Sequence, residues 1–96
     1  MAKEEYEEIY KGYNIKIHYQ PVTGDNAKVL FRIWKNSEPA FSLWEKISGT
    51  SMRRKMRGEA LDSLKEKGLT RIKSMIDLKN FKEGEEYSYW EGELRP

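Results

Sequence analysis

Residues 13–20 read Tyr13-Asn14-Ile15-Lys16-Ile17-His18-Tyr19-Gln20, and their alternation decides the fold. Tyr13, Ile15, Ile17 and Tyr19 fall on one face, and Asn14, Lys16, His18 and Gln20 on the other. A period of two, carried by β-branched and aromatic residues, is the pattern of a strand with one face in a core. Pro21-Val22-Thr23-Gly24-Asp25-Asn26 follows with turn chemistry. A second alternation then covers 27–35, with Val29, Phe31 and Ile33 on one side and Leu30, Arg32 and Trp34 on the other. Two such runs joined by a turn-rich loop predict an antiparallel hairpin.

Working outward, Asn36-Ser37-Glu38-Pro39 is a further turn, and Ala40–Lys46 alternates again with Phe41 and Leu43 against Ser42 and Trp44. Ile47 closes this third strand, and Ser48-Gly49-Thr50-Ser51 breaks it. The period then changes to that of a helix. Ala60, Leu61 and Leu64 share one face at 100° per residue, and Glu59, Asp62 and Glu66 share the opposite one. Ser51 suits the N-cap. Lys65-Glu66-Lys67-Gly68-Leu69 resembles a helix ending, because cations favour the C-terminal end of the dipole and glycine adopts the left-handed cap. Ile72 and Met75 nevertheless continue the apolar stripe beyond Gly68. One long helix with an internal glycine and two helices jointed there both fit. The alternation Ile72/Ser74/Ile76/Leu78 also permits a strand, and helix is the preferred reading of 70–78.

The expected fold is therefore α+β: a three-stranded antiparallel sheet in β-β-β-α order, packed on one face by an amphipathic helix, with a further helical segment or strand near 70–78. Its core draws on Ile15, Ile17, Val29, Phe31, Ile33, Phe41, Leu43, Leu61 and Leu64. Residues 1–11 form an acidic N-terminal segment, 12–78 a single α+β domain, and 79–96 a polar acidic C-terminal segment. Gly12 marks the entry to the first strand, and Tyr6, Ile9 and Tyr10 are expected to extend that strand backwards.

Composition narrows the function classes. The chain has 96 residues, 35% of them charged, 12% aromatic and none of them cysteine. Such a length suits one domain. The aromatic content argues against a disordered chain, and no run approaches the ~20 apolar residues of a membrane span. Without cysteine there is no disulfide framework, thiolate zinc site or thiol nucleophile. The acidic start, with one lysine against four glutamates in residues 1–8, lacks the apolar stretch of a secretory signal. A soluble cytoplasmic protein with no membrane association is the expectation.

Net charge is +2, distributed unevenly: residues 50–73 carry eight basic and three acidic groups, and residues 74–96 carry three and six. The sole imidazole, His18, lies on the polar face of a strand and reads as a solvated side chain. The carboxylates sit in runs such as Glu4-Glu5, Glu7-Glu8 and Glu85-Glu86. No phosphate loop, dinucleotide fingerprint or helical metal motif is present. The expectation is a protein that is not an enzyme and uses neither metal nor cofactor.

Two features point to binding. Arg53, Arg54, Lys55 and Arg57 crowd the start of the helix, where Arg53 and Arg57 share the stripe of Ala60 and Leu64. An unpaired guanidinium is costly to bury. Either this turn overhangs the sheet, or its stems snorkel over apolar surface, or the helix starts near Gly58. With Arg32 nearby, these cations form a candidate nucleic-acid or polyanion contact. The second feature is aromatic: Leu30, Trp34 and Trp44 occupy the strand faces opposite the core residues. They form a candidate protein-docking patch, unless Tyr87, Tyr89 or Trp90 of the C-terminal segment folds back over it. A small binding module for a protein partner is the leading expectation, with polyanion binding through 53–57 as the alternative.

Overall fold

The computed structural model describes residues 5–20, 26–48 and 57–92. Along the chain run β1 (Glu5–Tyr10), β2 (Tyr13–Tyr19), β3 (Asn26–Lys35), β4 (Glu38–Ser48), a helix α1 (Arg57–Leu78) and β5 (Glu85–Gly92). The strands make one sheet in the order β1-β2-β3-β4-β5. The first four pair antiparallel, and β5 runs parallel to β4. A parallel neighbour cannot be reached by a tight hairpin, and α1 is the crossover that makes it.

The α+β class and the helix on the sheet agree with the sequence reading, but the sheet is mixed and five-stranded rather than antiparallel and three-stranded. Both additional strands come from the charged ends. Tyr6, Ile9 and Tyr10 do not prolong β2. Lys11 and Gly12 both take positive φ (51° and 86°), so the chain reverses and Tyr10 pairs with Tyr13. Two successive left-handed residues give the turn twist that suits a two-residue hairpin. Asn36 and Ser37 repeat this geometry between β3 and β4, with φ of 53° and 66°.

One face of the sheet is the core. Ile15 and Ile17 from β2, Val29, Phe31 and Ile33 from β3, and Phe41, Leu43 and Ile47 from β4 are buried beneath Leu64, Leu69, Ile72, Met75 and Ile76 of α1. Leu61 is half-buried against the same cluster. The helix runs unbroken through Gly68, and residues 70–78 are its last turns, so neither the joint at Gly68 nor the alternative strand over 72–78 forms. Lys79, with φ 54°, ends it, and the amide of Asn80 donates to the carbonyl of Met75 at 3.2 Å. This is the Schellman closure, with lysine in the left-handed position. Phe81 then stacks on Phe41 with ring centroids 4.4 Å apart and steers the chain into β5.

The helix lies over β3 and β4, and its link to β1 is polar. Lys65, Lys73 and Asp77 follow one side of α1 at helical spacing and meet β1 in sequence. The Lys65 ammonium sits 5.1 Å from the Tyr6 ring centroid, and Lys73 pairs with Glu8 at 2.6 Å. Asp77 accepts from Lys11 at 2.7 Å and from the Tyr10 hydroxyl at 2.9 Å. Hydrogen bonds from Lys11 and then Tyr10 hold the Asp77 carboxyl below the ordinary carboxylate range. The Asp77 bond raises Lys11 and the Glu8 bond raises Lys73.

Candidate binding face

Strand alternation turns one set of side chains away from α1, and the register aligns them. Leu30 faces Trp44 across β3 and β4, Arg32 faces Ser42, and Lys16 of β2 faces Arg32. Trp34 follows four residues after Leu30, so the two indoles are rooted on the order of 13 Å apart along the sheet. A register shift at Ile33/Trp34 places Trp34 opposite Pro39 and leaves Ala40 as the extra residue of a bulge. Bulges re-aim neighbouring side chains. Here Phe41 enters the core while Pro39 and Ser42 border the outer face.

Leu30, Arg32, Trp34 and Trp44 line one groove of about 450 Å³, together with Ser42 and Glu86. The sequence reading placed these first four on one surface, and the structure brings them together. Leu30 is only 9% exposed, which makes it the floor. Both tryptophans are half-buried and laterally held. The Trp44 indole N–H donates to Glu86 at 2.6 Å, and the Lys46 ammonium lies 5.6 Å from its ring centroid. Lys16 sits 5.7 Å from the Trp34 ring centroid. Cations over indole faces are attracted by the ring quadrupole. The groove thus has largely apolar walls and a margin of mixed charge, with Arg32, Lys16 and Lys46 against Glu85 and Glu86.

Glu86 and Lys46 were missed as site residues. Glu86 reaches Trp44 only because β5 pairs parallel with β4, and no local pattern announces that pairing. Tyr87 and Tyr89 do not fold back over the tryptophans, because both pack against the core cluster on the helix side. Trp90 contributes its backbone to β5, and its side chain lies outside what is described. His18 faces Leu30 on the outer surface and is half-buried.

Arg53, Arg54 and Lys55 lie outside the described residues. Arg57 is the first residue of α1, and its side chain lies outside them too. Of the proposed polyanion group, only Arg32 is described. Among the described residues no group of three or more His, Cys, Asp or Glu side chains converges as for a metal ion, and no helix is long and apolar enough to cross a membrane.

On the helix side, Glu45 is 3% exposed and accepts from the Arg71 Nε at 2.6 Å. The Arg71 guanidinium carbon lies 3.8 Å from the Tyr89 ring centroid. No local pattern announces this trio, which depends on helix phase and on β5 together. In comparisons with known proteins, no family model, no curated protein and no solved structure matches this chain.

Proposed function

We propose that the protein is a small non-enzymatic binding module whose sheet face opposite α1 docks a protein partner. The observation that carries this reading is the convergence of Leu30, Arg32, Trp34 and Trp44 on one groove, on the face opposite α1. Tryptophan and arginine dominate the energetics of protein interfaces, especially around a desolvated centre. Leu30 supplies such a centre. Glu86, Lys16 and Lys46 hold the indoles in place before binding, which lowers the entropy cost of immobilising them. The mixed-charge margin favours a partner with an apolar anchor flanked by acidic residues toward Arg32, Lys16 and Lys46 and basic ones toward Glu85.

A second reading has one specific observation in its favour. Lys16, Arg32 and Lys46 share the outer face with both indoles, and aromatic platforms flanked by cations also serve single-stranded nucleic acids. Against it, lysines already lie over both indole faces, where a base would stack.

Affinity capture from nuclease-treated extract, followed by titration of the purified captured protein, separates the two. Docking at this face predicts saturable binding to the wild type that the double variant Trp34→Ala/Trp44→Ala loses while its thermal unfolding stays cooperative. Equal affinity of the double variant contradicts the assignment. Salt-sensitive binding to single-stranded oligonucleotides, with a log–log slope of about −3 for some four phosphates, supports the second reading instead.

A further inference from the structure

We propose that the cleft between α1 and β5 is an anion site that takes a phosphate group on the fork of Arg71. It lies on the helix side and stands independently of the tryptophan groove. This shallow, open cleft spans about 690 Å³ and is lined by Arg71, Thr70, Ser74, Asn80 and Tyr89, with Glu66 and Lys67 at the end one helical turn away.

The arginine is held in an unusual way. Glu45 is buried on β4, and its bond comes from the Arg71 Nε alone at 2.6 Å. Among the described residues, neither Nη group of Arg71 has a hydrogen-bond partner. A buried carboxylate is costly to desolvate, and it is best compensated by a bidentate guanidinium. Here the pairing engages the inner nitrogen and leaves the outer donors to a side chain that is 39% exposed. The Tyr89 ring, with its centroid 3.8 Å from the guanidinium carbon, supports it from the β5 side. The result is a guanidinium held at its inner nitrogen against the cleft wall, with its two outer nitrogens left to donate.

Such a fork matches two oxygens of a phosphate, and arginine does this where lysine offers only a point charge. Thr70 and Ser74 lie one turn apart on α1 and line the same cleft as Arg71, so their hydroxyls are open to a ligand there. The carboxamide of Asn80 closes the C-terminal end. These neutral donors suit the remaining oxygens of a tetrahedral anion, whereas a planar carboxylate would use the fork alone. Glu66 and Lys67 carry opposite charges, so that end of the cleft is near neutral.

The test is an NMR titration of the full chain with inorganic phosphate, with sodium chloride and acetate at matched ionic strength as controls. It follows the Arg71 Nε–H and the amides of Thr70, Ser74 and Tyr89. The expected result is a saturable shift confined to these signals, produced by phosphate and not by chloride. Arg71→Lys should weaken it by ~10-fold or more, because charge is kept and the fork is lost. Since that variant also disturbs Glu45, Thr70→Val/Ser74→Ala is the second arm. It leaves the Glu45 pair in place and should weaken phosphate binding severalfold with unchanged unfolding. Three results would overturn the proposal: no localised shift, an equal shift with acetate, or unaltered affinity in both variants.

Discussion

A β-carbon on Gly68 would lie 2.2 Å from the Phe31 Cζ, which is closer than any real pair of such atoms. Phe31 is fully buried beneath the helix at this point, and the missing side chain sets how close α1 comes to β3. In an exposed helix, Gly→Ala is worth about 1 kcal/mol in favour of alanine. Here the steric conflict should dominate: Gly68→Ala is expected to destabilise by about 1–3 kcal/mol, as overpacked core substitutions do. Urea unfolding measures it, and adding Phe31→Leu should recover part of the loss. A more stable Gly68→Ala would mean that helix and sheet are not in contact here.

The Glu45–Arg71 pair should respond asymmetrically to mutation. Arg71→Met strands a carboxylate that is 3% exposed. It is expected to cost about 3 kcal/mol, the low end for a broken buried pair. Glu45→Gln instead frees an arginine that can turn into solvent, and it should cost clearly less. Chemical denaturation of both variants reads the difference, and equal losses would contradict the burial of Glu45.

Protonation should loosen β1 at low pH. Asp77 has a lowered pKa in the folded chain, so its contribution is present above its ordinary value of 3.8 and disappears as pH falls through the folded value. Lys11 and Lys73 have raised values, so theirs is present below 10.5 and disappears as pH rises through the folded values. Amide exchange across residues 5–12 should quicken in acid relative to β3, and Asp77→Asn should remove that dependence. Identical acid dependence in the variant would refute the role given to Asp77.

Ser37 occupies the second left-handed position of the β3–β4 turn, with φ 66°. Asn-Gly is the preferred pair for this geometry. Ser37→Gly should therefore raise stability by about 0.5–1 kcal/mol, since the relief of left-handed strain exceeds the added chain entropy. A thermal melt decides it, and destabilisation would mean a different turn type.

The legible part of the fold is the part with apolar periodicity. Ile15/Ile17 and Phe31/Ile33 alternate because one face of β2 and β3 is wholly core, and the aromatic face follows by subtraction. The edge strands were hidden for a physical reason. On β1, Tyr6, Glu8 and Tyr10 meet α1 through charges and hydroxyls, so no apolar alternation survives to be read, and charged residues are common where an edge must stay unpaired. On β5, Tyr87 and Tyr89 do alternate, but two aromatics among glutamates in a chain terminus gave too short a pattern. Gly68 left two readings open because a glycine that ends a helix and one that admits a close neighbour look alike in one dimension. The groove was legible as Leu30, Arg32, Trp34 and Trp44; Glu86 was not, since it arrives by a parallel pairing across the α1 crossover.

The docking face itself is tested most directly by site-specific photocrosslinking. p-Benzoylphenylalanine is placed at Ser42, within the groove, and separately at Asp62, on the exposed side of α1. A discrete polypeptide adduct is expected from position 42 that vanishes with Trp34→Ala/Trp44→Ala, and none from position 62. Equal adducts from both positions, or an adduct at 42 indifferent to the loss of both tryptophans, would contradict docking at this face.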